Sequence, residues 1–372
     1  MSLRSLTVRD FRNLAPQTVD VPPGAVAVVG PNGAGKTNLL EAIAVLGTLV
    51  SFRPGPSTSW VRRGAEGFVL AGELSRGETT VEVRQEARLS RTVERRLFRG
   101  ARRLSPAEYL DLLPVSVLSS HDRLLIWGGP EERRRLLDRL AFALHRETLP
   151  VVQRYRRALR QRNALLQRGG PAAEFEAFEH DLARLGGRLV ALRLEALAAL
   201  ERALEIELSL LNWLQSRPNL RYNAPDGLGP ADDVTMASCL HALLVRARRK
   251  EQARGHTLVG PHRHDLTISL GGAPAREILS AGQAKLLATA CKLAAMRVAE
   301  QARGVASTVV FDDVDAELDA DVVRRVVARV TAGRQALLSS AHPEVLLPHL
   351  PEAELWQVRA GTVDVAVGRD RV

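Results

Sequence analysis

The chain opens on alternation. "RSLTVRDF" and "QTVDVPPG" place apolar residues at every second position and predict two short, half-buried strands. The pattern then changes to Ala25–Val29, an unbroken apolar run, which predicts a strand covered on both faces. A glycine-rich loop follows, and after it a helix from about Thr37 to Leu49. Alternation returns from Gly67 to Phe98 in "FVLAGELSRGETTVEVRQEA" and "RTVERRLF", with a turn signal at Gly77; this is the pattern of an antiparallel β-ribbon.

From about Pro130 to Gln215 the period lengthens. Ala, Leu, Arg and Glu recur at helical spacing, and "ARLGGRLVALRLEALAALERALEIELSLL" predicts a long amphipathic helix. Breaks fall at "RGGPA" and "RPNLRYNAPDGLGPADD". No heptad is sustained long enough for an extended coiled coil. A further helix runs from about Val234 to Arg254. Beyond Gly255 the mixed pattern resumes: "HTLVGPHRHDLTISLGG" reads as two short strands around a turn, and "ILSAGQAKLLATACKLA" as a helix. "ASTVVFDDVDAELDADVVRRVVARV" reads as a buried strand, an acidic loop and a helix, and "RQALLSSAHPE" and "ELWQVRAGTVDVAVG" as late strands. The expected fold is therefore α/β. Residues 1–118 and 255–372 form one domain with an antiparallel β subdomain, and residues 119–254 form an inserted helical lobe.

Composition narrows the class. The 372 residues, 45% of them hydrophobic and 25% charged, describe a soluble globular protein. A formal net charge of +10 favours an anionic partner, nucleic acid before membrane. Nearly every cation is arginine; the only lysines are Lys36, Lys250, Lys285 and Lys292. Cys239 and Cys291 stand far apart in helix-like surroundings, which suggests neither a disulfide framework nor a metal knuckle and fits a reducing cytosol. "MSLRSLTVRDF" lacks the apolar core of a signal peptide, and no apolar run has the length of a membrane span. A cytoplasmic protein without a membrane partner is expected.

Two stretches carry phosphate chemistry. "GPNGAGKT", Gly30–Thr37, satisfies G-x-x-x-x-G-K-[ST] between an apolar strand and a helix, the context that motif needs. Gly30, Gly33 and Gly35, with Pro31, Asn32 and Ala34 between them, let backbone N–H groups turn inward around phosphate. Lys36 would neutralise the phosphates, and the Thr37 hydroxyl would bind Mg²⁺. In "TVVFDDVDAELD" an apolar strand ends in two acids. Asp312 is placed to hold Mg²⁺, and Asp313 to polarise an attacking water.

Ser280 and Gln283 fit the S-x-x-Q capping box, in which serine and glutamine satisfy each other's backbone N–H groups. Their place after the phosphate loop and before the acidic strand is also similar to the ABC-type ATPase head. There an S-x-G-Q signature starts a helix that meets the γ-phosphate of ATP held by a second subunit. Gly282 removes a side chain where backbone must approach phosphate. The two readings are compatible, because an anion site requires a helix start. His342, after "QALLSS", stands where such heads carry a switch histidine; it also reads as an exposed histidine before Pro343. Arg12 and Asn13 read equally as nucleotide contacts or as a surface turn. "EERRR", "YRRALRQRN" and "RARRK" are basic runs in the helical lobe suited to DNA phosphates.

Taken together, "FRNL", "GPNGAGKTNLLEAI", "GGPEERRRLLDRL", "YRRALRQRNALL", "TLVGPHRHDL", "SAGQAK" and "FDDVDAELD", in this order, resemble the RecF recombination-mediator family, relatives of the SMC-type ATPases. The resemblance spans most of the chain and implies an ABC/SMC-like P-loop ATPase head. It implies ATP and Mg²⁺ as cofactors and binding to single- and double-stranded DNA at replication gaps. It further implies an ATP-dependent homodimer, and action with RecR and RecO in loading RecA, in replication and in the SOS response. Hydrolysis would be slow and DNA-stimulated. Asp313, shorter than the Glu of efficient ABC-type hydrolases, fits that. The chain departs from the family's Pro-Glu-Asp at Ser120, His121 and Asp122, and from its His-Arg-Asp-Asp-Leu at His264, where a carboxylate has become histidine. His262 and His264, alternating along the expected strand, are a possible metal pair. The alternatives are a transporter ATPase subunit and a DNA scaffold that binds ATP without hydrolysing it.

Overall fold

The computed structural model describes residues 2–77, 79–213, 215–224 and 232–365. It divides the chain into two compact units: Met1–Arg123, Ala281–Met296 and Gly304–Val372 form the first, and Leu124–Ser280 with Arg297–Arg303 the second.

The first unit holds two six-stranded sheets. In one, Val115–Leu118, Thr308–Phe311, Ala336–Ser339, Ala25–Val29 and Glu354–Arg359 lie side by side in parallel, and Thr362–Val365 adds an antiparallel edge. The two strands Thr308–Phe311 and Ala336–Ser339 are buried at every position, as expected for apolar runs inside a parallel sheet. The last strand reading, "TVDVAVG", continues past Val365, outside the described residues. The other sheet is antiparallel, running Gln17–Asp20, Ser2–Arg9, Gly67–Arg76, Thr79–Leu89, Val93–Arg99 and Arg102–Arg103. The ribbon read from sequence is its longer half. Residues of both sheets and of the helix Lys36–Thr48 share one core, with Leu39, Leu40, Ile43 and Leu46 fully buried.

The antiparallel sheet also caps that helix. Gln85, fully buried, donates through Nε2 to the carbonyls of Val45 (2.8 Å) and Leu46 (3.0 Å), and Arg95 donates to the carbonyl of Leu49 (2.6 Å). The last carbonyls of a helix have no partner within it. Here Gln85 supplies one at Leu46 and adds a second bond at Val45, whose carbonyl also accepts the Leu49 N–H (2.9 Å), and Arg95 supplies one at the residue that ends the helix.

The second unit is built on helices Pro130–Leu144, Thr148–Arg168, Ala172–Leu210 and Asp233–Arg254, with a three-stranded sheet of Pro218–Asn223, Asp265–Leu270 and Ala273–Pro274. Pro218–Asn223 lies inside the stretch read as a break; its strand character comes from its register with Asp265–Leu270, which local sequence does not carry. Thr257–His264 is not a strand but a series of turns. Gly260, at φ 122°, sits so close to Tyr155 that a Cβ would lie 2.7 Å from the tyrosine hydroxyl.

Those turns are fastened by the residues quoted from "QRN" and "GPHR". Asn163 Oδ1 accepts from both the backbone N–H (2.9 Å) and the hydroxyl (2.7 Å) of Thr257. Arg162, Glu179 and Glu251 are all fully buried, and one guanidinium nitrogen of Arg162 bridges the two carboxylates at 2.9 and 2.6 Å. Arg193 donates to Asp138 (2.7 Å) and to the carbonyl of Pro261 (2.7 Å). His262 and His264 each meet a different tyrosine, Tyr155 at 2.7 Å and Tyr222 at 3.0 Å. Both histidines are thus structural partners of tyrosines. Among the described residues no cluster of three or more His, Cys, Asp or Glu is placed to hold a metal.

Candidate phosphate-binding site

The strand Ala25–Val29 delivers the chain into the loop, and the loop into the helix that starts at Lys36. Gly30, Gly33 and Gly35 have φ of 146°, 80° and 116°, in the region that favours glycine. A Cβ on Gly30 would also lie 2.4 Å from the Val358 carbonyl oxygen. Gly35 occupies the N-cap without a side-chain hydrogen bond, and the first turn contains no acid. The helix N-terminus is thus left to an anion. Lys36 is nearly buried, and its ammonium donates to the carbonyls of Gly30 (2.6 Å) and Pro31 (3.2 Å), which holds it across the loop.

Asp312 ends the strand Thr308–Phe311 beside this loop and is 3% exposed. Its Oδ1 accepts from the Ser339 hydroxyl at 2.8 Å, and the Thr37 hydroxyl is a second hydrogen-bond partner. Burial, and then the charge of Asp313, push its pKa up to about 6, against those two hydrogen bonds and the nearby Arg53 guanidinium. The same Ser339 hydroxyl accepts the backbone N–H of Asp313 at 3.0 Å. Asp313 has φ 52°, so a single serine holds both acids at the turn where the strand ends. Ser339 was not singled out in the sequence. A serine closing an apolar strand has no local signature, and its role exists only because two strands far apart in sequence end side by side.

Behind the loop, Glu41 is fully buried and accepts from Arg12 (2.6 and 3.0 Å) and from Ser51 (2.6 Å). Asn38 connects Arg53 (2.7 Å) to Asn13 (2.6 Å). Arg12 and Asn13 are therefore both bonded to side chains of the helix that follows the loop, and Asn13 is exposed. This second layer, with Asn38, Glu41 and Arg53, was carried in sequence only by "TNLLEAI" following the loop.

Ser280 is exposed, and the helix Ala281–Arg303 begins immediately after it, as its helix-start reading requires. Gly282 and Gln283 are half-buried in the first turn, and a Cβ on Gly282 would lie 3.1 Å from the Glu317 carbonyl oxygen. Asp319 caps the helix Ala320–Thr331 by accepting from Val322 N–H at 2.8 Å. His342 is exposed, at 65% of its side chain, and faces Glu344 at 3.4 Å. Asp122 accepts from the Ser119 N–H (2.9 Å) and pairs with Lys292 (3.0 Å), so this acid secures the segment it belongs to.

The geometry fits a polyphosphate with a divalent cation. The loop supplies positive-φ glycines, an uncapped helix N-terminus and a sequestered ammonium. Thr37 and Asp312 supply one hydroxyl and one buried carboxylate, whose pKa burial and then the Asp313 charge raise. Magnesium is commonly held by one or two protein oxygens together with phosphate oxygens and water.

A parallel sheet with this loop after one strand and paired acids after another, joined to an antiparallel subdomain and interrupted by a helical unit, defines an ABC/SMC-like P-loop ATPase head. The profile described as RecF/RecN/SMC N terminal domain matches residues 2–349. The chain is 36% identical over 376 residues to the DNA replication and repair protein RecF of Anaeromyxobacter sp. (strain K), covering 99% of this chain and 100% of that protein. It is 34% identical to that of Streptomyces avermitilis, covering 98% and 100%. The chain belongs to the RecF family of DNA replication and repair proteins. A solved structure of the recombination mediator protein RecF-ATPrS in the RecFOR pathway superposes with a TM-score of 0.87 at 24% identity, covering 98% of each chain. An Smc head bound to the C-terminal winged-helix domain of ScpA gives 0.55 at 18% identity, covering 99% of this chain and 98% of that one. Both share the fold. Among the described residues no helix is long and apolar enough to cross a membrane.

Proposed function

We propose that this chain binds ATP with Mg²⁺ through Gly30–Thr37 and Asp312, and that two copies close over two nucleotides. Ser280, Gly282 and Gln283 of each copy would meet the γ-phosphate held by the other. The observation that carries the reading is the convergence of the uncapped helix, the buried Lys36 and the Thr37–Asp312 pair within one unit. Thr37 and Asp312 would hold the Mg²⁺, which would supply positive charge against the phosphates. Lys36 would exchange the loop carbonyls for phosphate oxygens. Ser339 would keep Asp312 and Asp313 in register, with the Asp313 carboxylate orienting water for slow hydrolysis. His342, exposed after its strand, would turn toward the phosphates only in the closed dimer.

The partner is DNA, single- and double-stranded. The helix Thr148–Arg168 contains no acid. Its Arg154, Arg156, Arg157 and Arg160 are exposed and, among the described residues, have no ion-pair partner. Arg246, Arg249, Lys250 and Arg254 repeat this on the helix Asp233–Arg254. Cations without acidic partners suit phosphate, and the contact would be weakly sequence-specific. The role is ATP-gated DNA binding in replication-gap repair, in cooperation with RecR and RecO for RecA loading, supporting replication and SOS induction. The first unit would be the ATPase head and the second the DNA-contacting lobe. Family membership favours this over a transporter subunit.

The test is solution mass with and without ATP. Lys36→Met should abolish nucleotide binding. Ser280→Ala should bind ATP and remain monomeric; ATP-induced dimers of Ser280→Ala would overturn the shared-site reading. Full repair by Asp313→Asn would favour a scaffold that needs no hydrolysis.

A further inference from the structure

The helix that begins after Ser280 carries a lysine that the reading above leaves without a role. Lys285 is fully buried. Its ammonium donates to two backbone carbonyls of the acidic loop, Asp313 (3.4 Å) and Ala316. Desolvation lowers its pKa, opposed by the charges of Glu317, Asp122, Asp313 and Asp315 around it. One turn earlier on the same helix, Gly282 lies against the carbonyl of Glu317.

The loop they touch is under backbone strain at two places. Asp313 and Glu317 adopt φ of 52° and 64°, and neither is glycine. Such conformations cost about 1 kcal/mol or more apiece and persist only where the surroundings impose them. The Lys285 ammonium binds the carbonyl of one of these residues and the carbonyl of the peptide bond that enters the other. It holds both turns of the loop at once. Arg123 adds an ion pair to the Glu317 side chain, and Lys292, two turns further along the helix, fixes Asp122. The first turns of one helix are therefore bonded to the loop that follows Asp312 at Lys285 and lie against it at Gly282.

We propose that Lys285 is a positioning residue that couples the two nucleotide sites of the dimer. The proposal rests on the shared-site reading. The start of this helix meets the nucleotide held by the second copy, whereas the acidic loop serves the nucleotide held by its own copy. A phosphate drawn against Gly282 and Gln283 shifts the helix start. Lys285 transmits that shift to the Asp313 and Ala316 carbonyls, and so to the turn that aims the Asp313 carboxylate. Binding in one site is felt in the other through a single ammonium group.

The experiment uses the full chain and the substitution Lys285→Met, which keeps the length of the side chain and removes its charge. Three quantities are read with ATP and Mg²⁺: ATP-induced dimer mass, the Hill coefficient of hydrolysis against ATP, and the maximal rate. Dimers should still form, while the Hill coefficient falls from about two toward one and the rate drops about tenfold. A lysine that merely fills space would change melting temperature and leave the Hill coefficient untouched. Wild-type cooperativity and rate in Lys285→Met overturn the proposal. If Ser280→Ala, run alongside, dimerises normally with ATP, it is the shared-site reading that fails. A second measurement does not depend on the variant folding. In the wild-type chain, ATP should slow hydrogen exchange at the amides of residues 313–318; in Ser280→Ala with ATP bound it should not. Equal protection in both overturns the coupling.

Discussion

Arg162→Leu should destabilise the helical unit by about 3–5 kcal/mol, the range for breaking a buried ion pair by removing one partner. The site contains two carboxylates, Glu179 and Glu251, and two guanidinium groups, Arg162 and Arg248. In the native chain these charges balance. With Arg162 gone, Glu179 keeps two hydrogen bonds from Arg248, at 3.0 and 2.5 Å, whereas Glu251 keeps only the backbone N–H of Leu258 at 2.6 Å. Thr257 loses its guanidinium donor as well. The net result is one uncompensated negative charge on a pair of carboxylates with no exposure to water. Leucine fills most of the volume, so the loss is electrostatic rather than a cavity. The diagnostic is the double variant Arg162→Leu/Glu251→Leu. It restores neutrality and should recover about half of the loss or more, because a well-packed apolar replacement of a buried pair is often neutral. The assay is urea unfolding followed by the helical circular-dichroism signal, with hydrogen exchange at the amides of residues 257–266 as a local readout. Equal instability of the single and double variants would refute the argument from charge, as would a single-variant loss below about 1 kcal/mol.

Ser339→Ala should lower stability by about 2–3 kcal/mol, since it removes a hydrogen bond to a buried carboxylate and the acceptor of the Asp313 N–H. It should also weaken the Mg²⁺ dependence of ATP binding more than ATP binding without metal; calorimetry with and without Mg²⁺ separates the two, and an equal effect on both would count against the clamp. Acid should destabilise the helical unit through His262, whose pKa burial lowers from 6.5 to about 4. Because the folded state binds that proton later than the unfolded state does, stability is complete above about pH 6.5 and is lost as pH falls toward 4, by up to about 3 kcal/mol. His262→Gln should flatten the urea-midpoint profile across that window, and an unchanged slope would assign the acid sensitivity to other groups. Replacing Arg154, Arg156, Arg157 and Arg160 with Gln should weaken duplex DNA binding and reduce its dependence on salt, measured as the slope of log affinity against log salt concentration. An unchanged slope would move the DNA contact elsewhere.

What the sequence disclosed follows from how far apart the interacting groups lie along the chain. The phosphate loop was legible because strand, glycines, lysine and helix are contiguous and the chemistry is that of consecutive backbone N–H groups. Asp312 was legible because an apolar run ending in two acids is itself unusual. Ser339 and Gln85 were silent: each acts on a segment brought to it by sheet pairing, and nothing beside it in sequence specifies that pairing. The turns at Thr257–His264 were misread for the same reason, since the partners that impose them, Tyr155, Asn163 and Arg193, lie on two preceding helices. The rare lysines are the informative middle case. In a chain that uses arginine almost everywhere, Lys36, Lys285 and Lys292 each donate to backbone carbonyls: Gly30 and Pro31, Asp313 and Ala316, and Val117. A guanidinium is a planar fork matched to carboxylate and phosphate, whereas an ammonium is a compact group whose donors diverge. Either group can take converging carbonyls, since one guanidinium nitrogen of Arg133 donates to both Leu125 (3.1 Å) and Gly128 (2.9 Å). Lys36 and Lys285 grip the backbone of two loops, whereas Lys292 divides its donors between the Val117 carbonyl and the Asp122 carboxylate.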